Sequence, residues 1–471
     1  MPSILGANTL SSGYDVANSA RFDQPDGADT LRLAAAGNDG DQKHWTVSMW
    51  IKRSKLATLQ HVWSWSRNST NAEGGFAFDT NDQIFFISDG QNGSTNEIDG
   101  VFKDPSAWFH LVWACDADNG TNALRWRVYI NGVERAITGD PTIQDANGIV
   151  NRGSSQEHWI GGRARSLNSN VSDASYFSGY LAEVVFIDDS TLGPTSFGEF
   201  DDDTGIWKPI DVSDLTFGAK GYYLDFENAA ELGTDVSGSS NTFTESNISD
   251  VHQTTDTCTN NFATMNPLNV PVANAPVFSN GNLNLDSAAN ANKFHGSSTI
   301  GVSKGKWYME FKPKSGDYSF LGITGDPGED ARNEVNPGHS ATGYGYYQAN
   351  GNVSNNDSSS SYGNSYNSSG DIIGVALNID DNELKFYKNG TVQNSDTAIS
   401  ITAVASTPAG AYFFAMGDAA ADSSSKAIAN FGNPDYANSS SASDGNGYGD
   451  FEHAPPSGFY SLCTKNLAQF G

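Results

Sequence analysis

The chain has 471 residues, too many for one core and enough for two or three domains, with 37% hydrophobic and 11% aromatic residues to build them. Its 55 acidic and 26 basic residues give a formal net charge of −29, a field that repels phosphate backbones and anionic lipid and so argues against nucleic acid and membrane partners. The 49 glycines and 16 prolines are scattered as turn punctuation, and Cys115, Cys258 and Cys463 lie too far apart for a disulfide framework or a zinc pattern.

The opening stretch MPSILGANTLSSGYD has no charged n-region and no long apolar run, so no signal peptide is expected. No later segment reaches the length of a membrane span. Short runs rich in Val, Ile, Phe, Tyr and Trp then follow, bounded by Gly, Asn, Asp and Pro: residues 45–52, 75–78, 83–87, 108–113, 125–130 and 180–187. In the first of these the alternate positions Trp45, Val47, Met49 and Ile51 share one face. That pattern predicts one face in a core and one in solvent, as in a β-sandwich. Asn131-Gly132, after Tyr129-Ile130 and before Val133-Glu134, predicts a two-residue type I′ hairpin turn. A buried thiol is expected for Cys115, within an apolar run.

Residues 201–265 open on three aspartates and become rich in Ser, Thr and Asn, which predicts a connector, ordered in part by lying against a domain. Beyond it strand-like runs resume, and Asn389-Gly390 repeats the hairpin signal. A polar tract after about residue 432 leads to a Pro-Pro-Ser-Gly turn and a last apolar piece. The expected architecture is all-β: two antiparallel β-sandwich (jelly-roll) domains over 1–200 and 266–436, with a C-terminal extension, 437–471, packed on a domain.

Two groups of motifs carry a resemblance. Residues 21–31, 45–52, 104–110 (DPSAWFH), 128–133 (VYINGV) and 178–184 (SGYLAEV) resemble a laminin-G-like, concanavalin-type jelly roll. Residues 305–311 (GKWYMEF), 320–323 (FLGI) and 371–377 (DIIGVAL), running on to Gly390, are similar to a SPRY domain. The order of these modules, with residues 196–209 and 455–467, resembles a family of large-phage and marine-bacteriophage structural proteins. That resemblance implies a virion surface component, such as a tail fibre, assembled in the bacterial host cytoplasm. Its implied partners are neighbouring virion proteins and a host-surface glycan or receptor, with homo-oligomers in keeping. A capsid decoration or tail-assembly protein without host contact is the alternative.

Concanavalin-type folds also host glycoside hydrolases, which need two carboxylates flanking the scissile bond. Glu97-Ile-Asp99 begins a suitable pattern, but the third acid is missing. Glu183 lies in a strand with Asp188 and Asp189 only at its end. No nucleophile elbow, phosphate loop or His-Glu-x-x-His motif occurs, and His110, between Phe109 and Leu111, reads as a packed residue. The chain is therefore expected not to be an enzyme and to use no cofactor. Residues 116–120 (DADNG) carry ligand-type side chains for structural calcium but lack the distal glutamate of an EF-hand loop, and an Asp-rich turn explains them better.

The expected recognition surface is the stretch of tyrosines, asparagines and serines in the second half: Tyr344, Tyr346, Tyr347, Asn352, Asn355, Tyr362 and Tyr366. Tyrosine rings stack on sugars, while Asn and Ser satisfy hydroxyls. The competing reading has Tyr344 and Tyr346 packing into the sandwich. Residues 168–176 form a weaker candidate of the same composition.

Overall fold

The computed structural model describes residues 13–23, 29–34, 43–67, 73–87, 96–138, 156–166, 169–170, 175–271, 275–287, 294–316, 318–333, 335–367, 370–418 and 425–471. The chain divides into two compact units, Leu10–Asn260 and, for the remainder of the described residues, Asn261–Gly471. Both are antiparallel β-sandwiches, and among the described residues no helix is long and apolar enough to cross a membrane.

In the first unit one eight-stranded sheet is centred on His44–Arg53, flanked by Trp108–Asp116 and Gly179–Asp188. The facing sheet is centred on Gln60–Arg67 and Gln156–Ile160. Trp45, Val47, Met49 and Ile51 enter the core between the sheets, where Trp45, Trp113 and Trp126 meet edge to face at 4.8 Å. The hairpin at Asn131-Gly132 forms as expected, with φ of 48° and 77° and Ile130 paired to Val133.

The expected solvent face of this central strand is not in solvent. Thr46, Ser48, Trp50 and Lys52 are all buried. The covering layer comes from the stretch read as a connector, which lies within the unit up to Asn260. From it Val212, Phe217 and Tyr223, joined by Phe197 just before the stretch, pack over Val112, Val185 and Ile187, while Trp207 and Cys258 pack with Trp50, Trp108 and Tyr180. Three short strands in the same stretch, Tyr222–Leu224, Thr244–Ser246 and Gln253–Thr254, extend the two sheets.

The second unit pairs a nine-stranded sheet, centred on Lys306–Ser315, Ile373–Asn378 and Glu383–Lys388, with a six-stranded one. The six run in the order His295–Ser297, Phe413–Asp418, Ser319–Thr324, Gly343–Tyr347, Asn352–Asn355 and Ser358–Ser361. Asn389 and Gly390 form the second expected hairpin turn, with φ of 49° and 73°. Phe451, Ala442 and Phe459 of the C-terminal extension lie on Tyr308 and Ala376, the outer face of the larger sheet. Cys115, Cys258 and Cys463 are buried thiols.

Candidate functional site

The tyrosine-rich stretch folds as the outer edge of the six-stranded sheet. In Gly343–Tyr347 the two side-chain directions separate Tyr344 and Tyr346 from Gly343, Gly345 and Tyr347. Tyr344, Tyr346, Tyr362 and Tyr366 all enter the core, between 0% and 9% exposed. Tyr346 stacks on Phe386 at 5.0 Å and meets Tyr362 and Tyr366. Their hydroxyls are satisfied internally. Tyr346 donates to the Asn364 carbonyl and Tyr366 to the Tyr346 carbonyl at 2.9 Å. Tyr362 accepts from the Phe386 amide at 3.2 Å, and Tyr344 from the Thr402 amide at 2.9 Å. The structure thus places four of the seven expected recognition residues in the core, because each ring can be buried only where its hydroxyl finds a partner.

The other three reach the surface and divide again. Asn355 is a structural residue, donating through Nδ2 to the carbonyls of Ala341 at 3.1 Å and Gly343 at 2.8 Å. Tyr347 lies flat against Phe320 across the strand pair, centroids 4.4 Å apart and planes 16° off parallel. Gly345 faces Ser354 and Tyr346 faces Val353, so the register carries Tyr347 to Asn352, which is paired in turn with Ser361. The outer face therefore bears a cross-strand row of Phe320, Tyr347, Asn352 and Ser361. A second row holds Gly322, Gly345, Ser354 and Ser359. Asn352 donates to Ser359 Oγ at 3.0 Å, and Ser358–Ser361 is exposed throughout. Asn356 and Asp357, at φ of 51° and 56°, close the turn between the last two strands. Tyr318, two residues before Phe320 in the chain, is 45% exposed.

The carboxylates considered for hydrolysis are not brought together. Glu97 sits half-exposed on a two-residue strand of one sheet of the first unit, paired on its two sides with Phe85 and Thr138. Glu183 sits on the opposite sheet. There a register shift between Ala182 and Val185 puts it at φ 51°, a bulge that turns the carboxyl into the covering layer. Its Oε2 accepts from Tyr223 Oη at 2.7 Å and Tyr14 Oη at 3.3 Å. Burial pushes the Glu183 carboxyl up to about 8, against the two tyrosine hydrogen bonds that favour its charged form. Asp188 accepts from the Lys220 amide at 3.0 Å.

His110 is a packed residue. It stacks on Trp50 at 4.8 Å, its Nε2 lies 2.8 Å from Ser48 Oγ, and its Nδ1 accepts from Trp207 Nε1 at 3.0 Å. Burial lowers its pKa to about 3, so it is neutral. In the loop considered for calcium, Asp118 pairs with Lys43 at 2.6 Å and Asp116 lies 3.4 Å from His44. Among the described residues no three His, Cys, Asp or Glu side chains are grouped to hold a metal. The weaker candidate surface at residues 168–176 falls largely outside the described residues.

One concavity escaped the sequence reading. It lies on the outer face of the nine-stranded sheet, where Lys312 and Tyr436 meet Asn389 of the hairpin turn and Glu452 and His453 of the extension. Its parts are separated by up to 141 residues between Lys312 and His453, and Lys312, Tyr436 and Glu452 belong to no motif, so no local signal marks it.

Comparison with known proteins agrees with this architecture. Residues 25–193 match the model of the concanavalin A-like lectin/glucanases superfamily, and residues 304–419 match that of the SPRY domain. Concanavalin-like and SPRY domains are present in that order. No curated protein matches the chain. Among solved structures it is similar to the SPRY domain of human HERC1, with 16% identity, 31% of this chain and 87% of that one covered, and a TM-score of 0.24. A heptameric SAP-like pentraxin from Limulus polyphemus shows 14% identity, with 38% and 80% coverage and a TM-score of 0.30. A Bacteroides ovatus protein described as a candidate carbohydrate binding protein shows 14% identity, with 50% and 60% coverage and a TM-score of 0.34.

Proposed function

We propose that the protein is a non-catalytic recognition module of a bacteriophage virion surface, such as a tail fibre, that binds a host-surface glycan. The observation that carries the reading is the row of Phe320, Tyr347, Asn352 and Ser361. It offers an aromatic ring, an amide and hydroxyls side by side on a regular sheet, the groups that stack on a sugar ring and bond its hydroxyls. No carboxylate belongs to either row, so this face binds without a group to cleave what it holds. The separation of Glu97 and Glu183 onto opposite sheets of the first unit speaks the same way. The virion assignment is supported by the resemblance of residues 196–209 and 455–467, together with the order of the two domains. Fold alone does not decide function, so the test is on the site. Labelled protein is titrated onto purified bacterial surface polysaccharides. Saturable binding that falls at least tenfold in Tyr347→Ala, with unchanged thermal stability, is the expected result. Equal binding by the variant removes the row from the account.

A further inference from the structure

The cleft on the second unit is a separate feature, on the opposite face of the sandwich from the tyrosine–asparagine–serine row. Its volume is about 310 Å³, at the lower end of small-molecule sites and suited to a single small ring. Its walls are held in place before any ligand arrives. Glu310, fully buried, accepts from the backbone amides of Glu452 at 2.9 Å and His453 at 2.8 Å, which fixes both residues on one rim. On the other rim Asn389 Oδ1 accepts from the Ile372 amide at 2.8 Å, and the His453 ring lies against the turn, 3.0 Å from where a Cβ on Gly390 would be.

The charges in the cleft are specific. The Lys312 ammonium lies over the Tyr436 ring, 4.0 Å from its centroid. Among the described residues no carboxylate is within ion-pair distance of it, although most described lysines have one. Glu452 is the counterweight. Its carboxylate accepts from the Ser439 amide at 2.8 Å and from Ser439 Oγ, and the nearby His453 and Lys312 help hold it ionised. A half-buried cation with free donor capacity sits beside a pinned anion with free acceptor capacity. A neutral sugar would leave the ammonium without a charged partner, and a phosphate dianion would face Glu452 with one cation to offset two charges.

We propose that this cleft binds a small hydroxylated monocarboxylate, a sugar acid of the uronic type. The ligand carboxylate sits against Lys312 and His453, and its hydroxyls donate to Glu452. The site is independent of the sheet-face row and stands or falls without it.

The test is calorimetric titration of the full chain with sodium glucuronate, glucose and glucose 6-phosphate as probes. Saturable binding of glucuronate is expected, at least tenfold tighter than either comparison sugar. Lys312→Met is expected to lose at least tenfold, while Lys312→Arg stays within a few fold of the parent. Thermal melts verify that each variant is folded. If Lys312→Met is not folded, Glu452→Gln carries the same expectation of loss. No saturable glucuronate binding, equal binding of glucose or of the phosphate, or full binding by a folded Lys312→Met overturns the proposal.

Discussion

Glu183 joins backbone strain, burial and titration in one residue. A glutamate at φ 51° inside a strand stays there because the surroundings over-determine it, here through the hydroxyls of Tyr223 and Tyr14. Its folded pKa of about 8 stands above the ordinary carboxylate value of 4.5, so the fold favours the protonated form and stability is lost as pH rises toward 8. Buried, neutral His110 acts in the opposite sense, adding stability between about pH 3 and its ordinary value of 6.5. Above that value Glu183 contributes a decline of about 2 kcal/mol between pH 6.5 and 8, and Glu310, which burial raises to about 7, adds to its lower part. Denaturant unfolding of the parent and of Glu183→Gln is expected to show the decline continuing from pH 7 to 8 in the parent and levelling off there in the variant.

Adjacent residues on one strand are expected to separate core from surface as sharply. Tyr346→Ala empties a fully buried site and is expected to cost about 3–5 kcal/mol. Tyr347→Ala, one position on, is expected to cost less than about 1 kcal/mol. Chemical denaturation reads both. Asn131-Gly132 and Asn389-Gly390 placed both hairpins, whereas this stretch read as a recognition surface, with Tyr344 and Tyr346 packed into the sandwich only as the competing reading that their burial follows. Glycine on the outer face looks like an empty surface, yet the carbonyl of Pro337 lies where a Cβ of Gly343 would be, so the loop closes over the glycines.

At the scale of elements, both units carry a second layer outside the sandwich, and this is where the sequence was hardest to read. The strand His44–Arg53 is buried on both faces, but its outer face is made of Thr46, Ser48, Trp50 and Lys52, which reads as solvent-facing. The layer that covers it has little periodicity because side chains, rather than ladders, satisfy its backbone. Asp235 accepts from the amides of Tyr223 and Asn241, and Asn241 donates to the carbonyl of Gly221. Polar composition thus looked like a connector.

The pin that fastens this layer is ionic. Lys52 and Asp256 are fully buried and meet at 2.7 Å, and Trp108 Nε1 donates to the same carboxylate at 3.0 Å. Lys52→Met leaves Asp256 buried without its cation and is expected to cost about 3–5 kcal/mol. Arg127→Ala, which breaks the exposed pair with Glu134, is expected to cost less than about 1 kcal/mol. Thermal unfolding of the two variants beside the parent checks the contrast.

For the whole molecule, the charge of −29 limits how either surface can attract a ligand. A face that binds through stacking and neutral hydrogen bonds is insensitive to that field, whereas a single ammonium in a cleft is not. Glycan binding at the row is therefore expected to change less than twofold between 50 mM and 500 mM salt, and sugar-acid binding at Lys312 to weaken several fold, by roughly the screening such salt produces. The two-domain, all-β architecture was legible from turn signals and short apolar runs. The row was legible in composition but not in membership, because register and burial decide which of seven residues reach the surface.

The most direct test of the central claim is a single cell-binding experiment. Fluorescent protein and a Tyr347→Ala/Asn352→Ala variant are incubated with bacterial cells, with calcium and with chelator, and bound protein and released oligosaccharide are measured in the same tubes. The account predicts saturable binding by the parent, competition with phage adsorption, loss of binding in the variant and no released sugar. Equal binding by the folded variant, or steady release of oligosaccharide by the parent, would contradict it.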